Sequence, residues 1–173
     1  MQIPNNNIIL VGFMASGKTT VGTHLASVTN RTFIDTDQLL EQHLGASIAE
    51  FFNTQGEALF RKQEQTIIRD TCKQSDQVIC SGGGAFINKE NQSIMLASGS
   101  VFWLDVTRDT VLERIDETQN DRPLLSHTNP SNKIDELLRE RRQHYEKAHF
   151  RIDANSKTIE QLTTQILEYL SSN

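Results

Sequence analysis

Few folds accommodate the octapeptide Gly12-Phe13-Met14-Ala15-Ser16-Gly17-Lys18-Thr19. It fits G-x-x-x-x-G-K-[ST], the phosphate-binding P-loop, which works only between a strand and a helix. That setting is present. Ile8-Ile9-Leu10-Val11 ahead of it is a short apolar, β-branched run, as in a strand buried on both faces. Behind it, Val21, Leu25 and Val28 recur at helical spacing. Glycines let backbone N–H groups converge on a phosphate without a Cβ in the way, and the helix N-terminus adds partial positive charge. Lys18 would reach the β- and γ-phosphates, and the Thr19 hydroxyl would ligate Mg²⁺. The alternative is an ordinary glycine-rich turn. Eight constrained positions in the right order favour the nucleotide loop, which by itself leaves the second substrate unnamed.

Composition removes several classes. With 173 residues, 36% hydrophobic and 23% charged, the chain suits one soluble globular domain. A formal charge of −5 lacks the basic footprint of a nucleic-acid binder. No apolar run approaches the roughly 20 residues that span a bilayer. The opening Met1 to Asn7 has no basic segment before its apolar run, so no secretory signal is expected. Cys72 and Cys80 make neither a disulfide framework nor a zinc site. Cys80 lies in an apolar run and is expected to pack as a small hydrophobe. A reducing, cytoplasmic setting, no membrane association and a monomer are the expectations.

Five strand-like runs alternate with helical patterns: Ile8 to Val11, Thr32 to Asp35, Val78 to Ser81, Val101 to Asp105, and Phe150 to Asp153. The alternation predicts an α/β fold with a parallel sheet. Ile159, Leu162, Ile166 and Leu170 mark a closing helix. Residues 37–73 hold two or three helices between consecutive strands, too many for a single crossover. Residues 116–133 are polar and break the helical period, which predicts a long loop, either a lid or disordered. A P-loop core with an insert and a lid suggests a small-molecule kinase, which must keep water from the γ-phosphate. All of this is assigned to one domain.

Several residues are candidates for the second substrate. Asp35-Thr36-Asp37 closes the second strand, and ligands of doubly wound sheets bind at the carboxyl ends of strands. Asp35 would sit near Mg²⁺ and Asp37 would point at the acceptor; equally, Asp37 would N-cap a helix beginning at Gln38. Gly82-Gly83-Gly84 after the third strand would let backbone approach a ligand, or make a flexible turn. On a helix from about Asn132 to Lys147, Ile134, Leu137, Leu138 and Tyr145 form an apolar face with Arg141 at its centre. An unpaired charge there is costly, so Arg141 either pairs with a core carboxylate or clamps a substrate anion. Arg61 would pair with Glu57 or Glu64 on its own helix, or serve the acceptor. Arg122 of Arg122-Pro123 would be a solvated loop charge, or would close onto the transferring phosphate.

Taken together, these motifs resemble shikimate kinase. They are the P-loop G-F-M-A-S-G-K-T, D-T-D after strand two, G-E-x-x-F-R at Gly56 to Arg61, and G-G-G-A at Gly82 to Ala85. R-P-L-L at Arg122 to Leu125 and E-R-R-x-x-Y at Glu140 to Tyr145 complete the set. The resemblance runs nearly the whole chain, in order. It implies a P-loop, NMP-kinase-like three-layer sandwich. The five-stranded parallel sheet would have the order 2-3-1-4-5, with a helical substrate-binding insert and a lid. It implies transfer of the ATP γ-phosphate to the 3-hydroxyl of shikimate, on the route to chorismate. By the same resemblance, Asp37 would orient the nucleophilic hydroxyl and take its proton. Arg61 and Arg141 would grip the carboxylate, and Gly82, Gly83 and Gly84 would offer N–H groups to the substrate. Thr19 and Asp35 would serve Mg²⁺, with Asp35 acting through water. Ala15, Ser16, Gly17, Lys18, Thr19 and Thr20 would bind ATP, together with the lid arginine Arg122. Arg114 is the basic residue near the position that contacts adenine in the family. Ser156 lies in an adenine loop, Asn155-Ser156-Lys157-Thr158, that departs from the family's Arg/Pro versions.

Other readings share the core. A gluconate kinase would also take a carboxylated polyol. A nucleoside-monophosphate kinase fits less well, because the acceptor region shows no base-stacking aromatic set. A nucleotide-dependent regulatory switch would draw support from Val101-Phe102-Trp103-Leu104-Asp105, which imitates a strand ending in a Walker B aspartate, but no N-K-x-D motif occurs.

Overall fold

A computed structural model describes residues 6–118 and 130–172. Five strands, β1 (Asn7–Val11), β2 (Thr32–Asp35), β3 (Gln77–Cys80), β4 (Gly99–Asp105) and β5 (Phe150–Asp153), pair in parallel in the order β2-β3-β1-β4-β5. This is the expected order. The helices are α1 (Lys18–Thr29), α2 (Thr36–Leu44), α3 (Ile48–Gln55), α4 (Glu57–Cys72), α5 (Lys89–Ser98), α6 (Arg108–Thr118), α7 (Pro130–Tyr145) and α8 (Ile159–Ser172).

Alternation along β1 builds both layers. Ile8 and Leu10 pack with Val78, Phe102 and Ile152 against Leu25 of α1 and Ile166 of α8. Ile9 and Val11 face the other way, packing with Ile79, Val101 and Trp103 against Ile68 of α4, Met95 of α5 and Tyr145 of α7. Because helices cover both faces, every residue of β1 is buried, which is why its sequence reads as a continuous apolar run. A third, smaller cluster around Leu40, Phe60 and Ile67 holds α2 and α4 together, with α3 packed alongside. It fills the place of the insert expected over residues 37–73.

Several boundaries differ from the sequence pattern, β1 among them, which starts one residue early at Asn7. β3 begins and ends one residue early, at Gln77 and Cys80; the Asn7 carboxamide oxygen accepts the Gln77 N–H at 3.1 Å. β4 begins at Gly99, which pairs with Asn7. A Cβ on Gly99 would lie 2.0 Å from the Asn7 carbonyl oxygen, so only glycine lets the strands meet there. The polar segment expected as loop over 116–133 is helical at both ends, since α6 runs to Thr118 and α7 starts at Pro130. Proline suits a first helical position, where no N–H is needed.

The cap of α2 is a further correction. Asp35, not Asp37, is its N-cap, and the Asp35 carboxylate accepts the N–H groups of Asp37 and Gln38. The helix starts at Thr36, so Asp37 lies inside its first turn and its side chain is released from capping.

Candidate active site

The P-loop joins β1 to α1, and its backbone leaves ordinary geometry at three places. Gly12 has φ +146° and Gly17 φ +91°, both in territory that favours glycine. Ala15, at φ 56°, is held there by Arg114, whose Nη1 donates to the Ala15 carbonyl at 2.9 Å. Gly17 caps α1 with no side chain on the first-turn N–H groups. Lys18 Nζ donates to the carbonyls of Gly12 at 3.0 Å and Phe13 at 2.8 Å, and lies 3.3 Å from Ser16 Oγ. Thr19 and Thr20 are exposed on the first turn of α1. The second Arg114 nitrogen, Nη2, reaches the Ala154 carbonyl at 2.9 Å and so ties the P-loop to the β5–α8 loop. Ser156 lies in that loop with φ 47°.

The two residues expected at the metal come together, with Thr19 Oγ1 donating to Asp35 Oδ2 at 3.0 Å. These are hard oxygen donors beside the phosphate loop. Among the described residues no cluster of three or more His, Cys, Asp or Glu could hold a metal by itself. A sparse donor set of this kind suits Mg²⁺, which keeps several waters and is held by one or two protein oxygens plus phosphates.

Packed against this loop, each of the three consecutive glycines lies under a different charged side chain. A Cβ on Gly82 would lie 2.3 Å from Asp37 Oδ1, one on Gly83 would lie 3.6 Å from Arg141 Nη1, and one on Gly84 would lie 3.0 Å from Arg61 Nη1. Asp37 comes from α2, Arg61 from α4 and Arg141 from α7, so three elements distant in sequence meet on one turn after β3. Burial raises the pKa of Asp37, and the neighbouring Asp35 pushes it the same way, against the pull of Lys18 and Arg61.

The two arginines are held differently. Arg61 donates to Glu64 through Nη1 at 3.0 Å and to Glu57 at 3.3 Å, so both helix pairs foreseen for it form together. Its guanidinium also lies over the rings of Phe60, at 5.1 Å, and Phe52, at 5.9 Å. Glu64 is 4% exposed, and burial raises its pKa although Arg61 opposes the shift. Arg141 is 8% exposed and lies over the Phe13 ring at 5.4 Å, donating to the Gly83 carbonyl at 3.2 Å. No carboxylate pairs with Arg141 among the described residues. The core ion pair that was one reading of it therefore does not form there. A cavity of about 470 Å³ is lined by Arg61, Gly84, Leu137 and Arg141, together with Glu57 and Glu140. A second cavity, about 350 Å³, lies beside Trp103, Arg142 and Arg151. It contacts none of the three glycines, and the acceptor is not assigned to it.

Arg122 lies outside the described residues. Asp105, which imitated a Walker B aspartate, is instead paired with Arg151 at 2.6 Å across the β4–β5 edge. Cys80 packs as expected: it is buried, donates to the Lys18 carbonyl, and burial pushes its thiol up to about 12. Three contributors were missed in the sequence. Glu64 was noted only as a partner for Arg61, Phe13 occupies an unconstrained P-loop position, and Tyr145 counted as part of an apolar face and as the end of the E-R-R-x-x-Y motif, with no role for its hydroxyl. The Tyr145 hydroxyl donates to the Gly83 carbonyl.

A cleft with a nucleotide loop on one wall and an arginine-lined, glycine-floored recess on the other places the molecule among P-loop kinases for small anionic acceptors. Its relatives narrow that class. The shikimate kinase family model matches residues 14–171. Shikimate kinase of a Sulfurihydrogenibium species is 44% identical over 161 residues, covering 93% of this chain and 95% of that one. The structure of shikimate kinase from Acinetobacter baumannii in complex with shikimate superposes with a TM-score of 0.93 at 35% identity, covering 99% of this chain and 96% of that one. A gluconokinase from Sinorhizobium meliloti superposes with a TM-score of 0.66 at 16% identity, covering 99% of this chain and 94% of that one, which shows the shared fold alone. The chain belongs to the shikimate kinase family. It is an ATP-dependent kinase that phosphorylates shikimate. No helix among the described residues is long and apolar enough to cross a membrane.

Proposed function

We propose that the residues gathered at the glycine turn and the P-loop carry out this transfer in defined roles, within one domain whose α2–α4 segment forms the acceptor wall. The observation that carries the assignment is the meeting of Asp37, Arg141 and Arg61 over Gly82, Gly83 and Gly84. Arg61 and Arg141 bind the shikimate carboxylate, whose bidentate geometry matches a guanidinium fork. That anchors one end of the ring and leaves a hydroxyl beside Asp37. The raised pKa of Asp37 makes its carboxylate a stronger base than an exposed one. The 3-hydroxyl oxygen attacks the γ-phosphorus, its proton passes to Asp37, and the bond from γ-phosphorus to the β–γ bridging oxygen breaks, releasing ADP. Lys18 leaves the loop carbonyls to follow the β- and γ-phosphates, and the N–H groups of Ala15 to Thr20 cradle them. Thr19 and Asp35 would hold Mg²⁺, which supplies charge neutralisation on the transferring phosphates. Arg114 supports the adenine side by fixing the P-loop to the loop containing Ser156.

The test is a coupled ADP-release assay with shikimate and gluconate as competing acceptors and Mg²⁺ present or chelated. Shikimate-dependent turnover of about 1–100 s⁻¹ that needs Mg²⁺ and ignores gluconate is expected. Lys18→Ala should remove nearly all of it while the protein stays folded. Turnover that survives chelation, or a Lys18→Ala variant with near-normal kcat, would refute these assignments.

A further inference from the structure

Tyr145 stands four residues after Arg141 on α7, so the two share a helix face. Both donate to one acceptor, the carbonyl oxygen of Gly83, Arg141 through Nη1 at 3.2 Å and Tyr145 through its hydroxyl. That oxygen belongs to the peptide joining Gly83 to Gly84. In a trans peptide the N–H points opposite to the C=O, so two donors on the oxygen direct the Gly84 N–H away from α7. A peptide between two glycines has few steric limits on its rotation. Holding it needs a rigid partner, and Tyr145 is one: it is 2% exposed and its ring stacks on Trp103 with centroids 5.9 Å apart. Burial pushes its phenol up to about 12, so it keeps the proton it donates.

We propose that Tyr145 is a positioning residue for the acceptor: its hydroxyl locks the Gly83–Gly84 peptide and, through the shared carbonyl, holds the Arg141 guanidinium in the orientation that receives the substrate carboxylate. The proposal rests on the acceptor reading above. The plainer account is that Tyr145 is a core aromatic whose hydroxyl found the nearest acceptor. The two differ in what they do to ligand binding.

Tyr145→Phe keeps the ring on Trp103 and deletes only the donor. Binary dissociation constants for shikimate and for ATP, steady-state kinetics and melting temperature are measured on wild type, Tyr145→Phe, Arg141→Lys and the double variant. Shikimate binding is expected to weaken about ten-fold in Tyr145→Phe, with KM for shikimate rising in step, kcat within about two-fold and ATP binding unchanged. The double variant should lose less than the product of the two single losses, because both side chains act through one carbonyl. A lower melting temperature with unchanged shikimate affinity would overturn the proposal, and so would equal losses for shikimate and ATP. Wild type that binds ATP but not shikimate would remove the acceptor reading, and this proposal with it. Wild type that binds shikimate beside an unaffected Tyr145→Phe would remove this proposal alone.

Discussion

Asp37 carries opposite demands of stability and chemistry. Burial and the adjacent Asp35 raise its pKa above the ordinary carboxylate value. The folded protein therefore holds the Asp37 proton more tightly than the unfolded chain does. Linkage then makes stability fall as pH rises from the ordinary carboxylate range through the raised value, and the loss persists at neutral pH. Asp37→Asn cannot ionise. It should melt at a higher temperature than wild type at pH 7, and the difference should vanish in acid, where wild-type Asp37 is protonated. Activity should move the other way, with kcat down about 10²-fold or more and ATP binding intact, because an amide cannot accept the hydroxyl proton. Melting curves at pH 4 and pH 7 beside kcat decide the matter; a fully active Asp37→Asn would reduce the residue to a polar neighbour. Arg141 makes the complementary case. Its guanidinium lies on Phe13 and one carbonyl, with no carboxylate partner among the described residues. Arg141→Lys should weaken shikimate binding by about 1.5–3 kcal/mol, the scale of a hydrogen bond to a charged group. Selectivity for shikimate over an ester of its carboxylate should fall with it. A drop in melting temperature with selectivity intact would assign Arg141 to structure.

Elements bring these residues together, and their close approaches are where the design is least tolerant. Helix α1 lies so near β3 that a Cβ on Gly22 would meet Cys80 Sγ at 2.4 Å and Phe33 Cε2 at 3.0 Å. Cys80 is buried in the core and Phe33 packs against it, so relief is expected to move α1 away from the sheet. Because α1 begins at Lys18, such movement carries the P-loop with it. Gly22→Ala should destabilise the protein by about 1–3 kcal/mol, the usual cost of overpacking, and raise KM for ATP more than KM for shikimate. Gly82→Ala should show the reverse preference. Its methyl would occupy the place of the Asp37 carboxylate, 2.3 Å from Oδ1, so the loss should fall on kcat with ATP affinity retained. Both contrasts are read from steady-state kinetics with one substrate varied at a time. Identical kinetic effects from the two glycines would mean that the walls of the cleft are not separable in this way.

At the scale of the molecule, what was legible in the sequence followed local rules. The P-loop, the strands and the α8 periodicity each declare themselves within a dozen residues. The sheet order and the pairing of Arg61 and Arg141 came through the family resemblance, since no local signal carries them. The cap of α2 was misplaced because Asp35 and Asp37 are equally good capping residues, and what separates them is backbone conformation, extended at Asp35 and already helical at Asp37. The start of β4 was hidden because Gly99 has no side chain to register a period. The hydroxyl of Tyr145 and the burial of Glu64 depend on contacts with other elements, which an apolar stripe or an i,i+3 pair cannot reveal. The same assembly predicts how the whole chain should respond to ligand. Asp37 is half-buried and Glu64 buried, both carboxyls have raised pKa, and both interact with Arg61, so the acceptor side of the cleft is built at some expense to stability. A ligand that binds only the folded form returns stability by mass action. At about 100 times its dissociation constant, shikimate should add about 2.7 kcal/mol. With about 2–4 °C per kcal/mol for a chain of this size, melting should rise by roughly 5–11 °C. The esterified analogue at the same concentration should give a smaller shift, and so should shikimate on Arg141→Lys, where a loss of about 1.5–3 kcal/mol leaves roughly a tenth to a half of the wild-type gain. The measurement needs no nucleotide and no turnover, so it tests the acceptor recess apart from the P-loop. An equal shift from acid and ester would show that the carboxylate is not what the two arginines recognise.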